Sequence, residues 1–105
     1  MIMTVEQPLR VDIVAKGDEG EVLLVMVEYR EWLEIALMKE QFKRKLQNYL
    51  YFAYSPDFYE SYGNKKAVVQ YAYSGDTPVP DEMKQFIDIE SKKAGIPVRI
   101  DHTKN

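Results

Sequence analysis

The sequence predicts a two-layer α+β domain with the element order β-β-α-β-α-β, in which two helices cover one face of a four-stranded mixed sheet. Three observations lead to this prediction. Two strand-like segments joined by a Gly-containing turn open the chain, two longer segments have helical periodicity, and the other strand-like segments alternate with those helices. A chain of 105 residues has room for one core, so we expect a single domain over residues 1–105.

The first two predicted strands form a hairpin. Apolar and polar residues roughly alternate over residues 9–16, which is typical of a half-buried strand. Residues 17–20, Gly-Asp-Glu-Gly, favour a turn, and residues 21–28 are apolar on both sides, which is typical of a central strand. We expect residues 1–8 to be an N-terminal extension of the domain.

The strongest helical pattern covers residues 33–53. Its apolar and small residues fall on one side of a helical wheel: Ile35, Met38, Phe42, Leu46, Tyr49, Leu50 and Ala53. Pro56 disfavours helical geometry at the residue before it, so the helix should end near Tyr54 and a polar loop should follow. Trp32, just before the helix, is expected to close one end of the core.

The second half of the chain predicts one further strand, one helix and a last strand. Residues 66–74 are rich in Val and Tyr and are bounded by turn residues, as strands are. Acidic residues at 81 and 82 and a glycine at 95 favour a helix that ends at Ala94. Residues 96–101 form the last strand, and residues 102–105 form a polar tail.

Two features of these last elements predict where they pack. Pro97 lacks the amide donor that a central strand needs, so the last strand should lie at a sheet edge, in the strand order 1-2-3-4. Glu90 falls within the apolar arc of its helix. We expect it either at the border of that arc or paired with a cation, for which Lys45, Lys93 and Arg99 are candidates.

Composition argues against several functional classes. The chain has no cysteine, which excludes disulfides and thiolate chemistry and fits a reducing cytoplasm. A net charge of −3 argues against nucleic acid as a partner. The longest apolar run, residues 22–27, is too short to cross a membrane, and the first residues lack the features of a secretory signal. We expect a cytoplasmic protein.

The sequence contains no motif that predicts a catalytic, cofactor or metal site. The single histidine, His102, lies in the predicted tail, and the turn at residues 17–20 is acidic rather than a phosphate-binding loop. The acidic residues around that turn lack the spacing of a Ca²⁺ loop. We therefore predict no cofactor and favour a protein that is not an enzyme.

Four stretches carry a resemblance that spans nearly the whole chain. They are Gly-Glu-Val-Leu-Leu-Val-Met-Val at residues 20–27, Trp32, Lys-Leu-Gln-Asn-Tyr-Leu-Tyr-Phe at residues 45–52 and Ala-Gly-Ile-Pro-Val at residues 94–98. In these the chain resembles a family of short bacterial domains of unknown function. The resemblance implies the same order of elements and no established activity, so it supplies no catalytic residue.

The leading functional hypothesis is a protein-interaction module. On the long helix, Leu37, Arg44 and Tyr51 recur at seven-residue spacing opposite the core stripe, with Asn48 beside them. Tyrosine and arginine are enriched where proteins bind one another. We interpret these four residues as a candidate interaction surface for a protein partner.

Self-association is a second form of this hypothesis. If both helices cover one sheet face, the other face still presents apolar residues of the central strand, either Val22, Leu24 and Met26 or Leu23, Val25 and Val27. A monomer seldom leaves such a face uncovered. The candidate covers are residues 1–8, the loop around Phe58 and a second copy, of which we favour the homodimer.

Two alternatives belong to other functional classes. An RNA-binding domain could stack bases on Tyr71 and Tyr73, which alternate along one strand, with Lys65 and Lys66 nearby. An enzyme could use carboxylates such as Glu28, Glu31 or Glu90 together with a cofactor. Steep salt dependence of any RNA binding would distinguish the first alternative from a protein-interaction domain.

Overall fold

A computed structural model describes residues 13–102 of the chain. The elements in chain order are β1 (Ile13–Lys16), β2 (Val22–Glu28), α1 (Ile35–Ala53), α2 (Pro56–Tyr62), β3 (Ala67–Tyr73), α3 (Asp81–Ala94) and β4 (Val98–His102). The predicted α+β class is confirmed, as is the predicted order of the strands and long helices. The proposed extension at residues 1–8 and residues 103–105 of the proposed tail lie outside the described residues.

The strands form one mixed sheet in the order β1-β2-β3-β4. β1 and β2 are antiparallel, whereas β2, β3 and β4 are parallel to one another. The strand that follows Pro97 lies at the edge, as predicted, although the nitrogen of Pro97 faces β3 and not the outer side. β2 is central, which agrees with its apolar residues on both faces.

All three helices contribute to one core on a single face of the sheet. Within β2, Val22, Leu24 and Met26 point into this core and are buried. The residues between them are half-buried on the opposite face, which no helix within residues 13–102 covers and which we call the open face. The helices add Phe42, Leu46 and Tyr49 from α1, Phe58 from α2, and Met83 and Ile87 from α3. The predicted two-layer arrangement is therefore confirmed.

The segment after Pro56 is a short helix and not the polar loop that we predicted. The Ser55 hydroxyl accepts a hydrogen bond from the Phe58 amide at 3.2 Å and so caps the start of α2. Proline ends α1, but it is also favoured in the first turn of the next helix. Phe58 is buried in the core on the helix side, so it does not cover the open face.

His102 belongs to β4 and not to a polar tail. Its imidazole lies against the Tyr73 ring, with ring centroids 4.8 Å apart, and its Nε2 lies 2.7 Å from the carbonyl oxygen of Gly75. Trp32 packs on the same tyrosine at 4.7 Å. Trp32 is packed against the core, where the sequence placed it.

Candidate functional site

The candidate site is a groove on the outer layer of the domain, between α1 and α3. Its first section, of about 240 Å³, lies between the two helices and ends at Glu90. Its second section, of about 430 Å³, continues past the end of α1 to Pro56. Gln47 and Leu50 line both sections, so the two sections adjoin along α1.

Helical spacing explains the walls of the groove. Lys43, Gln47, Leu50 and Tyr54 follow at intervals of four, three and four residues, which places them in one row along α1. This row lies beside the buried stripe that faces the sheet, so its side chains border the core without entering it. The opposite wall is formed by Glu90, Lys93 and Ala94 of α3.

One end of the groove is charged, because the Glu90 carboxylate lies there beside two lysines. Glu90 is only 6% exposed, and its carboxylate lies 3.4 Å from Lys93 Nζ and 3.8 Å from Lys43 Nζ. The predicted pairing of Glu90 with a cation is therefore confirmed for Lys93, and Lys43 joins it. Of the other two candidates, Lys45 is buried beside the Tyr49 ring, and Arg99 pairs with a different carboxylate.

The other end of the groove is aromatic. Tyr51 is 82% exposed and Tyr54 is 73% exposed, and both line the section that ends at Pro56. Large aromatic side chains that lie side by side in water are typical anchors for a binding partner. The sequence did not predict the groove, because its walls on α1 and α3 are at least 40 residues apart in the chain.

The predicted interaction surface on α1 is only partly in the groove. Tyr51 lines it, whereas Leu37, Arg44 and Asn48 are not among its lining residues. Leu37 and Arg44 are exposed, and Arg44 forms an ion pair with Glu40 at 2.8 Å. The row that forms the wall is offset from the predicted row by one helical position.

Tyr71 and Tyr73 do not form the second surface that the sequence suggested. Both side chains are fully buried on the helix side of the sheet, where Phe42 packs edge-on against Tyr71 at 5.5 Å. Burial raises the pKa of Tyr71 above its ordinary value of 10, so its hydroxyl stays neutral. Lys65 and Lys66 precede β3 and lie roughly 20 Å from the tyrosines at its far end.

The three carboxylates considered for an enzyme each have a structural partner. Glu28 binds Arg30 through both of its oxygens, at 2.8 and 2.9 Å. Glu31 accepts a hydrogen bond from the Thr77 hydroxyl at 2.6 Å, and Glu90 lies in the groove. Within residues 13–102, no group of three His, Asp or Glu side chains could hold a metal ion.

A second, polar pocket of about 440 Å³ lies where β2 and β3 begin. Its buried Glu21 carboxylate accepts hydrogen bonds from the Arg99 guanidinium at 2.8 Å and from the Glu19 amide at 3.1 Å. These bonds, above all the one from Arg99, hold the pKa of Glu21 below its ordinary value of 4.5. The acidic turn is therefore tied to the far edge of the sheet.

The ion pair between Glu21 and Arg99 predicts that the domain loses stability in acid. Because Arg99 favours the charged form, the stabilisation is present above pH 4.5 and is lost as the pH falls through the lower pKa of Glu21 in the folded state. We expect thermal unfolding midpoints of the wild type and of Arg99→Gln to differ near neutral pH and to converge in acid. A difference that does not change with pH would contradict this assignment.

The fold and the groove define a small two-layer α+β domain with a groove beside its two long helices. No helix within residues 13–102 combines the length and apolar character needed to cross a membrane. The chain belongs to a family of unknown function (DUF6572), whose family model matches residues 3–101. The resemblance to short domains of unknown function is thus confirmed. Comparisons with curated proteins and with solved structures gave no match.

Proposed function

We propose that this domain is a protein-binding module whose groove between α1 and α3 takes a short segment of a partner protein. The observation that carries the proposal is that the two adjoining sections of the groove place exposed tyrosines at one end and lysines at the other. An apolar floor with a few polar groups at defined positions is the usual construction of a peptide-binding cleft. Leu46 and Leu50 supply that floor.

The charged end indicates the chemistry of the partner. Two lysines lie beside one carboxylate, so this end carries a net positive charge, although the whole chain has a net charge of −3. A carboxylate of the partner would complete the pairing of Lys43 and Lys93. We therefore propose a partner segment with an acidic residue at one end and apolar or aromatic residues at the other.

The length of the groove sets the size of that segment. Lys43 and Tyr54 are eleven residues apart along α1 and its C-terminal cap, which corresponds to about 16 Å of helix. A partner helix of three turns has this length, and its residues at spacings of three and four would face the floor. The segment would thus lie parallel to α1.

Selection from a displayed library of random 12-residue peptides tests the proposal. We expect the selected peptides to share an acidic residue and apolar residues. Fluorescence anisotropy should then show binding that weakens about tenfold or more in Lys93→Glu and in Tyr51→Ala, as loss of a central contact does.

Two matched variants control for general effects of charge and aromatic content. Lys92→Glu changes the neighbouring lysine, which pairs with Asp88 and does not line the groove. Tyr59→Ala removes an exposed tyrosine of α2 that is also outside the groove. Selected peptides that bind all four variants alike, or a selection that enriches no peptide, would overturn the proposal.

A further inference from the structure

β4 leaves one of its two backbone edges without a strand partner among residues 13–102. It pairs with β3 alone, in parallel register, and the Val69 amide donates to the Pro97 carbonyl at 2.9 Å. Backbone groups alternate in direction along a strand, so those of residues 97, 99 and 101 point toward β3. The amides and carbonyls of Val98, Ile100 and His102 therefore point away from the sheet.

The usual protection of an edge strand is weak at β4. Exposed edges are commonly blocked by proline, bulges, very short strands or charged side chains, above all lysine, and the two charges of β4 have opposite signs. β4 has five residues, Val-Arg-Ile-Asp-His, with no proline, glycine or lysine. Pro97 precedes it, but its missing amide faces β3 and leaves the outer edge intact.

The charges of β4 are symmetric about its central residue. Arg99 and Asp101 flank Ile100, and both are exposed on the open face of the sheet. When two such strands pair antiparallel around a two-fold axis at Ile100, each Arg99 lies opposite Asp101 of the other copy. Opposite charges in directly facing positions stabilise an antiparallel pair.

Other registers that keep the outward backbone groups paired are electrostatically unfavourable. A shift by two residues in one direction places the two copies of Arg99 opposite each other. The same shift in the other direction places the two copies of Asp101 opposite each other. Like charges in facing positions destabilise strand pairing, so the symmetric register is selected.

The side chains needed for this pairing are already held in place. Arg99 uses one guanidinium nitrogen on Glu21, at 2.8 Å, and Asp101 accepts a hydrogen bond from the Gln70 amide at 2.9 Å. Both partners lie on the same sheet face as the predicted contact. Pairing across copies would extend these bonds into one network, with little side-chain freedom left to lose.

We propose that two copies of this chain pair through β4 to form a homodimer with one continuous eight-stranded sheet. The two-fold axis is perpendicular to the sheet, so the helices of both copies lie on the same face. The groove between α1 and α3 stays open in each copy. The dimer is therefore compatible with the proposed peptide binding and does not depend on it.

Two charge-reversal variants and their mixture test this proposal. Arg99→Asp places carboxylates opposite one another in the homodimer, and Asp101→Arg does the same with guanidinium groups. In the mixture, however, every carboxylate of one variant faces a guanidinium of the other. By light scattering after gel filtration, we expect the wild type at twice the 12.3 kDa chain mass, each variant alone at the chain mass, and the mixture again at twice that mass.

Hydrogen exchange locates the contact, since a dimer formed by the open face would leave the outer edge of β4 in water. The amides of Ile100 and His102 should exchange slowly in the wild type and rapidly in Asp101→Arg. The matched control is the exposed α1 pair, with Arg44→Asp and Glu40→Arg, which should leave the mass unchanged.

Arg99→Asp also removes the partner of Glu21 and could fail to fold. A circular dichroism spectrum of Arg99→Asp would reveal a failure to fold. In that case the mass of Asp101→Arg alone tests whether the dimer forms through β4. A monomeric wild type, a dimeric Asp101→Arg, or two folded variants that do not associate when mixed would each overturn the proposal.

Discussion

Replacing Phe42 by alanine should lower the free energy of unfolding by about 3–5 kcal/mol, the cost of removing a large aromatic side chain from a packed core. Phe42 is completely buried at the point where α1, α3 and the sheet meet. Its ring lies 5.5 Å from Tyr71 of β3 and 6.1 Å from Phe86 of α3, edge-on to both. The cavity left by alanine would border both layers and could not collapse without moving a helix.

Urea titration of the purified protein measures this loss. Leu37→Ala is the matched control, because it truncates an exposed side chain on the same helix and should change stability by about 0.5 kcal/mol or less. Similar losses for the two variants would show that the long helix, and not its packing at Phe42, determines stability.

Glu28→Gln should cost about 1.5–3 kcal/mol, since it removes the charged acceptor of the hydrogen bonds from Arg30. The Glu28 side chain is 1% exposed and binds the guanidinium of Arg30 through both oxygens. It also accepts hydrogen bonds from the amides of Tyr29 and Arg30, at 3.1 and 3.2 Å. Glutamine keeps the shape but replaces one acceptor by a donor that faces the guanidinium.

The appropriate comparison is Glu40→Gln, which breaks an exposed pair with Arg44 and should cost less than about 1 kcal/mol. In a double-mutant cycle, Glu28→Gln combined with Arg30→Gln should cost less than the sum of the two single changes, because the residues share one interaction. Additive losses, or a small effect of Glu28→Gln, would contradict the buried pair. Chemical denaturation of the four proteins provides the test.

Elements with one unambiguous pattern could be predicted from the sequence. Residues 21–28 are apolar on both sides, and β2 lies inside the sheet with a strand on each edge, although only one of its faces is fully buried. The strand that follows Pro97 is an edge strand, as the absence of an amide donor in proline led us to predict, although the proline nitrogen faces β3. The stripe of Met38, Phe42 and Tyr49 faces the core, because its spacing matches the helical repeat.

Other features depend on which side of a strand or helix packs against the core. The sequence pattern of that element does not specify the side. Alternation put Tyr71 and Tyr73 on one side of a strand, but the packing of α1 and α3 determined that this side is inside. Pro56 ends one helix and also starts another, and only the burial of Phe58 distinguishes the second role. The local sequence predicts whether a segment is a strand or a helix. Which of its faces becomes buried depends on contacts with residues that are distant in the chain.

In the candidate site, too, the sequence determined some features and the tertiary structure determined others. The sequence by itself determined that α1 has an exposed side with Tyr51 on it, because a helix of this length with one apolar stripe leaves its other side in water. Only the tertiary structure brought Lys43 of α1 beside Glu90 of α3. This juxtaposition follows from the crossover connections that order the strands, and such long-range contacts leave no periodic signal in the chain.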